Sequence, residues 1–166
     1  MHCRLIGLAA AAALLVPMAG QAAAQGTMKS SRMSAMVAYA AVSAAVETCA
    51  KQNQQVTAVV LDPGGAQQAF LRGDSAGIHT VEMADYKAYT ALSFRTDGID
   101  LVERASKGNV PAAIGKLPRL ILAQGGVVIR AGEEIVGAIG VSGARGNNID
   151  TACARAAIDQ IKNQLK

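Results

Sequence analysis

The chain has 166 residues, 51% of them hydrophobic but only 3% aromatic, with no Trp, 17 Gly and a formal charge of +4. Alanine accounts for 34 residues, so the apolar content comes in small side chains that each bury little area. One domain is the natural expectation at this length, and with 17% charged residues the composition excludes a highly charged solvating chain, a coiled coil, a collagen and a disulfide-dense scaffold.

In chain order, Met1 to Arg4 is a short positively charged lead, Leu5 to Val16 is an apolar run, and Gln21-Ala22-Ala23-Ala24-Gln25 supplies a small-x-small cleavage sequence. This pattern predicts a signal peptide over residues 1–24, cleaved after Ala24, and therefore a periplasmic or secreted protein. The run is shorter than the ~20 residues of a spanning helix, so no stable membrane span is expected after cleavage. Residues 25–31 read as a flexible lead and 32–166 as a single domain. Residues 25–166 keep 25 alanines and a formal charge of +3, without a basic run dense enough for nucleic acid.

From Arg32 to Gln52 the positions Met33, Met36/Val37, Ala40/Ala41, Ala44/Ala45 and Thr48 recur at the helical period. Val56 to Leu61 and Ala66 to Arg72 read as two strands of a hairpin, reversed at Asp62-Pro63-Gly64-Gly65. Thr80 is placed to cap a second helix running to Phe94, with Met83, Ala84, Lys87, Ala88 and Ala91 on one stripe. A shorter helix is expected over Gly98 to Ser106. Leu120 to Ala123, Val127 to Arg130 and Ile135 to Ser142 read as three further strands. A last helix carries Ile149, Cys153, Ala157, Ile161 and Leu165 on its stripe, with Asp150 as its cap. The order α-β-β-α-(α)-β-β-β-α predicts an α+β fold with a five-stranded antiparallel sheet flanked by helices. The first and last helices are expected to share a face. Alanine-faced helices give a thin core, which makes burial between subunits of a homo-oligomer an expectation.

No metalloprotease, paired-cysteine, P-loop or dinucleotide spacing occurs. Gly140-Val141-Ser142-Gly143 lacks the second glycine of a nucleophile elbow, because Ala144 stands there. Gly137, Gly140, Gly143 and Gly146 recur every third residue and have two readings, close backbone packing or a backbone cradle for an anion. After cleavage His79 is the sole histidine, so imidazole chemistry, as general base or iron ligand, must use it or its copy in another subunit. Cys49 falls near the end of the first helix and Cys153 near the start of the last. Antiparallel packing of those helices would join them in a disulfide; two buried free thiols are the alternative.

Val59-Val60-Leu61-Asp62-Pro63-Gly64-Gly65, Arg72-Gly73-Asp74, Lys87-Ala88-Tyr89-Thr90-Ala91, Gly125-Gly126 and Ile135 through Gly143, in that order and spacing, resemble the GlcG/HbpS-like haem-binding family. The resemblance runs from about residue 33 to the C-terminus. It implies a five-stranded antiparallel sheet, symmetric oligomers and a small-molecule ligand, with haem or a related tetrapyrrole as the leading cofactor. Arg72, His79, Tyr86, Lys87 and Thr90 are the candidate binding residues. His79 is the candidate iron ligand, with Tyr86 or Tyr89 as the less common oxygen donors. Lys87, Thr90 and Arg72 are placed to meet a propionate or a carboxylate; alternatively Lys87 pairs with a carboxylate of the protein itself. An enzyme acting on a small organic acid, with Lys87 as electrophile or base, and a purely structural oligomerising module are the competing functions.

Overall fold

The computed structural model describes residues 26, 29–146 and 148–165. The proposed signal peptide lies outside the described residues. The elements are α1 (Ala35–Ala50), β1 (Thr57–Leu61), β2 (Gln67–Arg72), α2 (Thr80–Phe94), α3 (Gly98–Ser106), β3 (Gly126–Ala131), β4 (Glu134–Ser142) and α4 (Ile149–Ile161). Short 3-10 turns cover Ala112–Lys116 and Lys162–Gln164. The strands form one antiparallel sheet in the order β2-β1-β4-β3.

The side chains of β1 alternate between two buried faces. Ala58 and Val60 join Val127, Ile129, Ile139 and Val141 in a cluster with α1 and α4. Val59 and Leu61 pack against Ala84 and Ala88 of α2, with Tyr89 and Leu92 at the border. The valine-rich run is therefore continuous because both of its faces are covered. The first and last helices do share a face of the sheet, and Cys49 and Cys153 are joined there by a disulfide with Cα atoms 5.7 Å apart.

The sheet has four strands, not five. Leu120 to Ala123, predicted as a strand, is not one. The Ile121 amide donates to Thr90 Oγ1 at 2.9 Å, and Arg119 donates to both carboxylate oxygens of Asp85 at 3.0 Å, so this segment is tied to α2. On the outer edge of β3, the Val128 amide donates to Asp97 Oδ1 at 3.0 Å, which occupies a position a further strand would need. A short apolar run between turn residues has the composition of a strand, but its backbone groups have found side-chain partners.

Alanine and glycine together set the distance between α2 and the sheet. A side chain at Gly140 would run into the Ala84 carbonyl and the Ala88 amide, and one at Gly126 into the Lys87 carbonyl. Gly137 likewise abuts the Leu61 carbonyl, and Gly143 the Gln55 carbonyl, both at positive φ. Close packing is thus what these glycines do. Gly140→Ala is expected to push α2 outward and destabilise the fold by about 1–3 kcal/mol, as overpacking does. Urea unfolding measures this, and a loss below about 0.5 kcal/mol would show that the helix shifts without strain.

Candidate functional site

The predicted binding residues lie at the end of β2 (Arg72), in the loop that follows and on α2, and the structure divides them into two groups. Beyond β2, Arg72 reaches forward and donates through Nε and Nη2 to the Ala76 carbonyl, while the Gly73 amide donates to Val56 O at 2.9 Å. These bonds anchor Gly73 and Ala76 at the start of the loop that leads to His79. Thr80 is not the cap expected of it, because its hydroxyl donates backward to Gly77 O at 2.6 Å. Having spent its one proton there, Thr80 accepts from Thr57 Oγ1, also at 2.6 Å. Position 79 becomes the cap residue, without a side-chain capping bond, and its imidazole lies exposed over Gly77.

His79 stands in a cleft of about 460 Å³, lined also by Gln54, Ser75, Gly143 and Arg145. The Arg145 amide donates to Gln54 Oε1 at 2.8 Å, which joins the loop after β4 to the loop after α1. Among the described residues the His79 ring makes no hydrogen bond and the Arg145 guanidinium makes no ion pair. The cleft thus presents a nitrogen ligand and a free cation to whatever enters it. Arg145 carries no motif; only its place in a glycine-rich loop beside the strand end marks it in the sequence.

The other group is built around Lys87, two turns further along the helix and about 12 Å from position 79 along its axis. Lys87 is 6% exposed. Its ammonium donates to Val141 O at 3.0 Å and to Asp150 Oδ2 at 2.7 Å. Asp150 was expected to cap α4, but Asn148 takes that position at φ 75°, and Asp150 sits inside the first turn. There its Oδ1 accepts from the Ala144 amide at 3.0 Å while Oδ2 faces Lys87. The pairing of Lys87 with a carboxylate of the protein itself is the arrangement the structure holds. It leaves no unshielded cation for a propionate and no free amine for an electrophile.

Thr90 and Tyr86 are structural neighbours of this pair. The Thr90 hydroxyl donates to Tyr86 O at 2.7 Å and accepts from Ile121, so it braces the segment that crosses α2. Tyr86 is half-buried, and Tyr89 lies beneath the Arg119 guanidinium, 4.1 Å from carbon to ring centroid. His79 is thus the predicted residue that stands in the cleft with Arg145, its ring without a hydrogen-bond partner among the described residues. Among the described residues no group of three or more His, Cys, Asp or Glu is placed to hold a metal ion, and no helix is long and apolar enough to cross a membrane.

A family model described as haem degrading protein HbpS-like matches residues 33–159. Among solved structures the chain is similar to HbpS at 30% identity, over 81% of this chain and 94% of that one, with a TM-score of 0.76. A double mutant of Streptomyces reticuli HbpS is also 30% identical, over 90% and 97%, with a TM-score of 0.75. Klebsiella pneumoniae protein ORFY, 21% identical over 83% and 96% with a TM-score of 0.77, shares the fold. So does PduOC, solved as a haem complex, at 22% identity over 77% and 94% with a TM-score of 0.71. No curated protein sequence matches the chain.

Proposed function

The chain belongs to the haem-degrading HbpS-like family, and from that premise we propose that it is an exported, oligomeric protein that binds haem or a related tetrapyrrole, with His79 as the iron ligand. The observation that carries the reading is the unpaired imidazole of His79 in a cleft shared with the unpaired guanidinium of Arg145. Haem iron accepts an imidazole nitrogen as axial ligand, and the propionates are carboxylates that a guanidinium pairs with. The donor set in the cleft therefore fits the group. Arg72 serves this site indirectly, by holding the loop that carries His79.

Export is supported by the signal-like segment over residues 1–24 and by the disulfide, which persists in oxidising compartments. Assembly is supported by apolar side chains left in water. Ile78, next to the iron ligand, is 79% exposed, and Met36 and Tyr39 stand out from α1. The cleft is lined mainly by polar residues, so a second copy covering Ile78 would supply the apolar cover that a tetrapyrrole face needs. Native mass spectrometry of the exported protein reports subunit number and retained ligand together; an unliganded monomer would count against both.

Titration of the apo protein with hemin is expected to give a saturable Soret shift. His79→Ala should weaken binding at least about tenfold, or 1.4 kcal/mol, and move the band. Without saturation in the wild type, haem is the wrong ligand. An identical band and affinity in His79→Ala would instead remove His79 from the iron and leave the ligand standing.

A further inference from the structure

The two edges of the sheet differ. β3 ends one side, and there the Val128 amide is already spent on Asp97 Oδ1. β2 ends the other side. The Gly73 amide just after it donates to Val56 O at 2.9 Å, and Leu71 and Ala69 stand opposite Ala58 and Val60. Bonded and non-bonded pairs alternate in an antiparallel ladder, so Leu71 and Ala69 bond to β1 while the amides and carbonyls of Phe70 and Arg72 point outward. Outside the ladder, no backbone hydrogen bond among the described residues reaches those four groups. Little blunts this edge: Gln67–Arg72 holds no Pro or Lys, and its one charge, Arg72, is turned onto the Ala76 carbonyl. A bulge at Gln68 lies near the start of the strand and leaves Ala69 to Arg72 regular.

Phe70 faces the same side of the sheet as Val59, but α2 packs chiefly over β1, β3 and β4, and Phe70 stays 39% exposed. We infer that β2 pairs with β2 of a second copy, antiparallel about a two-fold axis through Leu71, joining the two sheets into one. In that register Phe70 falls opposite Arg72 of the partner subunit, and the reverse, so all four outward groups on each copy find partners. An axis through Phe70 would set Arg72 against the bulge at Gln68, and one through Arg72 would set two guanidinium groups face to face. This closed, self-complementary set of groups is what favours a second copy over a foreign strand. The inference rests on the reading of the protein as a homo-oligomer and names the surface that joins it.

The two Leu71 side chains then form a non-hydrogen-bonded pair with Cα atoms about 4.5 Å apart, within reach of a disulfide. Leu71→Cys is expected to give a covalent dimer on mild oxidation, and Phe70→Cys, which does not face itself, at least about tenfold less. Charge gives a second reading. Phe70→Lys meets Arg72 of the partner subunit and should dissociate at least about tenfold more readily than Phe70→Glu, which meets an opposite charge. Native mass spectrometry across a dilution series reports both. In the assembled wild type, hydrogen exchange read residue by residue should be slow at the Phe70 and Arg72 amides. An oligomer in which those amides exchange fast, or in which Phe70→Lys holds together as well as Phe70→Glu, overturns the pairing and leaves the oligomer standing. So does equal cross-linking through Cys at positions 70 and 71. A monomeric wild type overturns both, and slow edge amides in a monomer would give the edge to another strand and overturn the pairing. Should Leu71→Cys not fold, the exchange of the wild type and the two charge variants decide.

Discussion

Replacing Lys87 with Met is expected to cost about 3–5 kcal/mol of stability, the usual loss when one partner of a buried ion pair is removed. The cost comes less from the lost attraction than from what remains. Asp150 Oδ2 would be left with its side chain only 14% exposed and its counterion gone. The Val141 carbonyl would lose its Lys87 donor in the same step, although it lies on a strand with both faces covered. Urea unfolding by circular dichroism measures the loss. Its origin is tested by the double variant Lys87→Met with Asp150→Leu, which removes both charges. That variant should recover most of the stability, falling short by about 1 kcal/mol because the Ala144 amide no longer has its Asp150 acceptor. A single variant within about 1 kcal/mol of wild type would show the pair to be solvated and the account wrong.

Loss of the Cys49–Cys153 bond is the second large effect. The bond spans 104 residues and ties the end of α1 to the first turns of α4, so it restricts the unfolded chain along most of the domain. Replacing both cysteines with alanine should cost about 2–4 kcal/mol. That corresponds to a fall in Tm of roughly 5–15 °C for a domain of this size. Both cysteines are fully buried among alanines, so part of the loss in the double alanine variant will be a cavity term. Comparing the variant with wild-type protein refolded under reducing conditions separates the two, because reduction removes the loop constraint and leaves the sulfurs in place. Equal Tm values for oxidised and reduced wild type would rule out a contribution from loop closure.

Much of this arrangement is legible in the residues themselves. The span Thr80–Phe94 of α2 follows from its period and from the turn residues before it, and the span Gly98–Ser106 of α3 is likewise local. The placement of Cys49 and Cys153 at facing helix ends needs only the helix boundaries and antiparallel packing. The motifs from Val59 to Gly65 and from Ile135 to Gly143 carry the family, which the match over residues 33–159 shows. His79 is legible as a candidate by simple scarcity, because no other histidine follows residue 24.

What was not legible has a common character. Leu120 to Ala123 is a strand by composition, yet its Ile121 amide is held by Thr90 and the preceding Arg119 by Asp85, on a helix more than 30 residues earlier in the chain. Asp150 has the sequence position of a helix cap, yet its partners are Lys87, 63 residues away, and the backbone amide of Ala144. Thr80 is a capping residue by type, but Thr57 and Gly77 claim its hydroxyl. By itself the sequence determined the helical periods and the apolar run of β1, because each depends on neighbours within a few residues; that α2 rests on Gly126 and Gly140 is a contact between distant segments. Only the tertiary structure decided which polar groups meet. Among the described residues it paired Lys87 internally and left His79 and Arg145 without side-chain partners in one cleft. A hydrogen-bonding side chain takes the partner that folding brings within about 3 Å, and for these residues that partner comes from a distant segment.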